Sequence, residues 1–235
     1  MIDIAAGSYV LRTASVFDYN GDYTFMFVWA YTTGGTASRG VWMVGQDDLS
    51  DYDIIEAEAA YKLWGLSSTL GGAQQQTSKT TTAIAIDDTL YYTAFRRTGT
   101  TVDLFLGTTS AGMTLEATGT LSDASRAAAN EIFFNGYNVA SPHSSVGFLG
   151  RVRVYESALT LAEIKTEMAV NTAVKAGVWG DWPMPDNTNL NDQSGNARHF
   201  SSSGSIGNGP TLADEVVGFP AGLLSTRRRG VLRCL

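Results

Sequence analysis

Tyr23-Thr24-Phe25-Met26-Phe27-Val28-Trp29-Ala30 is the stretch that decides the fold. Successive side chains of an extended strand point to opposite faces, so Tyr23, Phe25, Phe27 and Trp29 share one side and Thr24, Met26, Val28 and Ala30 the other. Both sides are apolar toward one end, which predicts a central strand covered on each face.

The same period of two recurs along the chain. Ile55, Ala57, Ala59, Tyr61 and Leu63 alternate with Glu56, Glu58, Ala60, Lys62 and Trp64, predicting one strand with a largely wet face. Val102, Leu104 and Leu106 alternate with Thr101, Asp103 and Phe105 in the same way. Further strands are predicted at 8–13, 40–46, 80–86, 90–96, 131–135 and 147–155. Thr-, Ser- and Gly-rich joints at 32–39, 67–82 and 201–210 read as loops or hairpin ends. So many short strands at this spacing imply two packed antiparallel sheets rather than a parallel α/β sheet. One helix interrupts them. Thr160-Leu161-Ala162-Glu163 has the form of a capping box, and Leu161, Ile164 and Met168 give the following segment, to about Val170, an apolar stripe.

With 235 residues, 44% hydrophobic and 17% charged, the chain has enough apolar surface for a substantial core and reads as a single globular domain. A net charge of -7 lacks the clustered cations that phosphate binding requires, so no nucleic-acid partner is expected. The basic cluster Arg227, Arg228, Arg229 and Arg233 follows the punctuated segment Gly218-Phe219-Pro220-Ala221-Gly222 and reads as a solvated or partner-docking tail. The expected division is a sandwich over 1–222 and a basic tail over 223–235. A single cysteine, Cys234, allows no internal disulfide. Met1-Ile2-Asp3-Ile4-Ala5 does not read as a signal peptide, and no apolar run approaches the roughly 18–20 residues that span a bilayer, so neither secretion by that route nor a membrane partner is expected.

The segment Gly147-Phe148-Leu149-Gly150-Arg151-Val152-Arg153-Val154-Tyr155, continuing through Glu156-Ser157-Ala158-Leu159-Thr160-Leu161-Ala162-Glu163-Ile164, resembles the signature of laminin-G-like jelly rolls of the concanavalin A-like superfamily. That signature is a hydrophobic Val-Arg-Ile-Tyr strand, Ala-Leu, a Ser or Thr cap, and Glu-Ile on a helix. Tyr23 to Trp29, Leu90-Tyr91-Tyr92-Thr93-Ala94, and Thr101 to Gly107 are similar to other strands of that family. Trp182-Pro183-Met184 with Asp192-Gln193-Ser194-Gly195-Asn196-Ala197-Arg198 is similar to its Trp-Pro and Asp-x-Ser-Gly-Asn motifs. These motifs usually open such domains and here follow the helix. The resemblance therefore implies an all-β, antiparallel two-sheet jelly roll in permuted order, with a short helix near 160–170 and C-terminal strands closing the sheets. Domains with the motifs in this late position resemble those carried by bacteriophage structural proteins.

Three sets of residues are candidates for chemistry. Asp51-Tyr52-Asp53-Ile54-Ile55-Glu56 approaches the Glu-x-Asp-x-x-Glu strand of retaining glucanases, but with the shorter Asp at the nucleophile position. In a regular strand Asp51 and Asp53 also face away from Glu56. The favoured reading is an acidic turn at Asp51 and Asp53 and a wet strand face at Glu56 and Glu58. Asp186, Asn189 and Asp192 lie in an oxygen-rich run, so calcium at Asp192 and an Asx-turn are both open readings. The family's acidic strand positions fall here on Gly150 and Arg151. Sugar binding would use aromatic faces and amides, for which Trp42, Tyr61, Trp64 and Gln75, in the Gln74-Gln75-Gln76 loop, are the candidates.

The expectation is a non-catalytic structural, decoration or fibre component of a phage particle with a lectin-like fold, assembled in the host cytoplasm. Its expected partners are other virion proteins or copies of itself, docked through Arg227, Arg228 and Arg229, together with surface glycans. A carbohydrate-binding lectin module and a laminarinase-type glycoside hydrolase are the alternatives. Apart from calcium, no cofactor is expected.

Overall fold

The computed structural model describes residues 1–5, 7–12, 16–33, 39–45, 51–57, 62–68, 74–85, 88–121, 128–135 and 146–212. The strands of the first half are β1 (Ile2–Ile4), β2 (Tyr9–Arg12), β3 (Tyr23–Thr33), β4 (Arg39–Gly45), β5 (Tyr52–Ala57), β6 (Lys62–Ser68) and β7 (Gln74–Ala83). Those of the second half are β8 (Tyr91–Thr98), β9 (Thr101–Gly107), β10 (Thr114–Thr120), β11 (Glu131–Phe134) and β12 (Val146–Tyr155). After helix α1 (Leu161–Ala169) come β13 (Val178–Trp182), β14 (Ser201–Ser203) and β15 (Ile206–Asn208). They form two antiparallel sheets. The first runs β10-β9-β8-β3-β12-β1-β15, with β13 also paired to β12, and the second runs β14-β2-β11-β4-β5-β6-β7. This is the jelly-roll sandwich the sequence predicts.

The alternation in β3 places it as expected. Tyr23, Phe25, Phe27 and Trp29 enter the core between the sheets, with Val10, Val44, Ile55, Ile132, Phe134 and Trp182. Met26 and Val28 face the other way and pack with Tyr92, Phe105, Tyr155, Leu159, Ile164 and Met168 under the helix. The C-terminal strands do close the sheets: β13 pairs with β12, β15 with β1 and β14 with β2. β1 and β13 lie along the same edge of β12, at Leu149 and Val152 respectively. Between them the pairing with β3 is irregular, and Arg151 adopts φ 47, a backbone conformation costly for a residue with a side chain.

Three expectations need correction. The strand predicted across 55–64 is two strands, β5 and β6, antiparallel with Ala57 opposite Leu63. Alternation alone carries no signal for a reversal when the intervening sequence lacks Gly or Pro. The joint at 67–82, with Gln74-Gln75-Gln76, contains β7, whose Thr-rich sequence is favourable to a strand once β6 provides its partner. Glu56, expected on a wet face, is only 3% exposed, while Glu58 lies outside the described residues.

Helix α1 begins as predicted. The Thr160 hydroxyl accepts from the Glu163 amide at 3.3 Å, and the Glu163 carboxylate accepts from the Thr160 amide at 2.8 Å. Its last turn carries no basic residue, so the terminal carbonyls need donors from elsewhere. Strand β12 supplies them. Arg153 donates to the carbonyls of Glu167 and Val170, and Arg151 to that of Met168 and, at 2.7 Å, to the Asn171 side chain. Both arginines are 0% exposed. Arg153 also pairs with Asp181 of β13 at 2.8 Å and with the Glu167 carboxylate at 3.5 Å. Asp181 in turn accepts from the Ala173 amide, and Glu167 from the amides of Val174 and Lys175.

Removing one partner from a buried ion pair leaves a desolvated charge behind and costs about 3–5 kcal/mol. We predict that Arg153→Met lowers unfolding free energy by that amount in chemical denaturation. A loss under about 1 kcal/mol would show that the network is not needed to hold α1 and β13 to β12.

Candidate functional site

Two surface places among the described residues bear on binding. The first is the turn at 192–198. Asp192, 7% exposed, lies where the chain leaves β13 and returns toward β14. One carboxylate oxygen accepts from the amides of Asp181 at 3.0 Å and Ser194 at 2.9 Å; the other accepts from the Ser194 hydroxyl at 2.8 Å and the Arg198 amide at 3.1 Å. Burial by itself would raise the carboxyl's pKa, but these hydrogen bonds outweigh it and hold the group below the usual aspartate value. Nearby, the Arg198 guanidinium lies 4.2 Å from the Trp179 ring centre and that of Arg12, from β2, lies at 5.8 Å.

This geometry tests the calcium reading. The four acceptor directions of Asp192 are occupied by protein donors. Asp186 accepts from the amide and hydroxyl of Thr188, and Asn189 from the Asn191 amide, each closing its own turn. Among the described residues, no three acidic, histidine or cysteine side chains converge as a metal cluster. Asp186, Asn189 and Asp192 therefore do not fit a calcium cradle as arranged; Asp192 holds a turn together. Arg151, at one of the two positions where the sequence resemblance would put an acidic ligand, directs its charge instead to the end of the helix.

The second place is an open groove of about 220 Å³ lined by Thr82, Tyr91, Leu106, Gly107, Thr108, Gly112, Thr114 and Glu116. It lies where β7, the edge of the second sheet, meets β8, β9 and β10 of the first. A bulge between Leu115 and Ala117 sets Glu116 out of the regular β10 ladder. Its carboxylate accepts from the Thr81 hydroxyl at 2.8 Å, the Thr82 amide at 3.1 Å and the Thr114 hydroxyl at 3.0 Å. Burial pushes its pKa up, but the bonds from Thr81, Thr82 and Thr114 prevail and lower it, so the group is ionised at neutral pH. Tyr91 accepts from the Ala85 amide at 2.6 Å, which leaves its phenolic proton for donation. Thr114 spends its proton on Glu116 and retains oxygen lone pairs. The groove thus offers donors and acceptors on a floor of Tyr91 and Leu106. Elsewhere, a void of about 30 Å³ beside Trp29 and Phe134 is too small for a sugar ring.

The sugar-binding candidates named from sequence are not brought to this groove by anything described. Trp42 is paired with Ile55, Trp64 with Glu56 and Lys79, and Gln75 with Ser67, in β4, β6 and β7. For these three the description is of backbone alone, and Tyr61 and Arg227 to Arg229 lie outside the described residues. The glucanase-like carboxylates do not form a cleft. Asp51 and Asp53 are 0% exposed, and Asp53 accepts from the Tyr23 hydroxyl at 2.6 Å in the core. Sequence reasoning missed the groove because it looked for aromatic platforms. The available signal was the small polar turn Gly107-Thr108-Thr109-Ser110-Ala111-Gly112 between two strongly alternating segments.

No family model matches the chain, and no curated protein resembles it in sequence. Its fold is shared with solved structures. A protein of Bacteroides ovatus described as carbohydrate-binding superposes with TM-score 0.60 at 11% identity, over 88% of this chain and 59% of that one. The CBM40 module of the Ruminococcus gnavus IT-sialidase, bound to α2,3-sialyllactose, gives 0.51 at 12% identity, over 63% of this chain and 83% of that one. The SAP-like pentraxin of Limulus polyphemus gives 0.52 at 8% identity, over 86% and 95%. The chain shares with them the fold of an antiparallel jelly-roll sandwich.

The hydrogen bonds to Asp192 tie its turn to the pH. A depressed folded pKa contributes stability above the ordinary aspartate pKa, near 4, and that contribution is lost as pH falls through the lower folded value. Asp192→Asn should cost about 2 kcal/mol at pH 7, in the range for hydrogen bonds to a charged group. Denaturation curves of the two proteins should converge as pH falls through the lowered pKa of the folded carboxyl. A difference unchanged by pH would rule out the charged form as the source of stability.

Proposed function

We propose that this protein is a non-catalytic, glycan-binding jelly roll and that the Tyr91–Glu116 groove is its binding site. The observation that carries this reading is the groove's combination of an aromatic and aliphatic floor with fixed donors and acceptors at the edge of the sandwich. A sugar presents an apolar C–H face and several hydroxyls, and needs that pairing of surfaces. The hydrogen bonds that hold Glu116 to Thr81, Thr82 and Thr114 fix one wall in advance, so little side-chain entropy is lost on binding. Carbohydrate-binding proteins with the same fold support the reading. The buried Asp51, Asp53 and Glu56 favour binding over hydrolysis.

Screening the protein on an array of neutral and acidic oligosaccharides should retain at least one glycan class. Thr108→Ala and Glu116→Gln should then each weaken binding about tenfold, equivalent to about 1.4 kcal/mol. If no glycan is retained, or if both variants bind as the parent does, the groove is not a glycan site.

A second reading, membership of a phage particle, gains support from the outside of the second sheet. There Ile54 and Phe133 form an apolar cluster with the half-buried Tyr9, Leu11 and Tyr52, on the side opposite the main core. An apolar outer face is suited to packing against other subunits. Immunogold labelling of particles from the native source should decorate virions. Protein found only in the soluble fraction would reject this reading while leaving glycan binding intact.

A further inference from the structure

A second cluster, away from the groove, is made almost entirely of donors. Trp179 is the second residue of β13 and is held by Phe17, whose ring meets it edge-on at 5.6 Å. Its carbonyl is bound by three side chains of the 192–198 turn: Ser194, Asn196 and Arg198. Those bonds tie the turn to the backbone of β13 at Trp179. Arg198 sets its guanidinium against the ring at 4.2 Å, and Arg12 reaches the same ring at 5.8 Å while donating to the His199 carbonyl at 3.3 Å.

His199 adds a directed donor. Its Nδ1 accepts from the Asp192 amide at 3.1 Å, so the neutral ring carries its proton on Nε2, and the residue is exposed. The one carboxylate in the turn, Asp192, is already saturated by four donors, three from the turn's own residues and the fourth from Asp181. Arg198 makes no ion pair among the described residues, and apart from its bond to Trp179 its guanidinium N–H groups have no protein acceptor there. Two guanidiniums on one indole repel each other, and burial with Arg198 as neighbour makes the charge on Arg12 harder to hold, against the attraction of Asp192. An anion between them would relieve that repulsion.

We propose that Arg12, Arg198 and the Nε2–H of His199, arranged about Trp179, bind an oxyanion: a carboxylate, sulfate or phosphate group. The planar fork of a guanidinium matches two oxygens of such a group, and the indole beside it excludes water from one side. The site is independent of the Tyr91–Glu116 groove. Its ligand group is either a free inorganic anion or the acidic substituent of a sugar.

The test is a titration of the whole protein at low ionic strength with sodium sulfate, glucuronate and glucose, following the indole N–H resonance of Trp179 by NMR. Sulfate and glucuronate should both shift that resonance saturably, and glucose should not. Tighter binding of glucuronate than of sulfate would identify an acidic sugar as the source of the group; equal binding would identify a simple anion. Arg198→Gln should weaken anion binding at least tenfold, Arg198→Lys less, and His199→Ala about threefold. His199→Ala changes an exposed side chain and guards against a folding defect in the Arg198 variants. Absence of a saturable shift with either anion, or unchanged affinity in both Arg198→Gln and His199→Ala, would overturn the proposal.

Discussion

Arg153 is the point on which the structure turns. It sits in the middle of β12, the strand that pairs with β3 on one side and with both β1 and β13 on the other. From there its guanidinium binds Asp181 of β13 and the carbonyls at the end of α1. A fully buried cation is tolerable only when its donors are satisfied and its charge is balanced. Asp181 and Glu167 do both, and in doing so they recruit the backbone of 173–175. The consequence is that the helix, the strand after it and the turn beyond are fixed relative to β12 by one charge. Apolar packing of Ile164 and Met168 brings the helix to the sheet; the arginines fix where it ends.

The two surface sites inherit their geometry from this frame in different ways. The Asp192 turn is anchored through the Asp181 amide, one residue's backbone away from the buried ion pair. Trp179, two residues earlier, carries the stacked arginines. The groove lies at the other closure of the sandwich, where the edge strands β7 and β10 meet. An open edge is a liability, and Glu116 covers it by bonding across to Thr81 and Thr82. The bulge that frees Glu116 for this task also widens the edge into a groove. Edge protection and the proposed glycan recognition therefore draw on the same side chains.

Much of the fold was legible because its signals are local. The two apolar faces of β3, the capping box at Thr160, and the Val152-Arg153-Val154-Tyr155 strand each depend on neighbours a few residues away. The misread segments depended on distant partners. Residues 58–61 offered no turn residue to break the alternation between β5 and β6, and β7 is a strand because β6 lies beside it. Glu56 looked wet because a carboxylate in an alternating strand usually is, yet it is buried once the sheet is assembled.

What the sequence determined by itself was the all-β class and the helix with its start, since periodicity and capping are properties of adjacent residues; the return of the C-terminal segment to the sheets was implied only by the resemblance of its motifs to those of laminin-G-like domains. The tertiary structure decided the rest. It placed Arg151 at the helix terminus where the family pattern suggested a metal site. It surrounded Asp192 with four protein donors, and it assembled Tyr91, Thr114 and Glu116 into a groove. Each of these joins residues remote in the chain, and the chemistry of a carboxylate or a guanidinium is set by what packs around it, which no local pattern records.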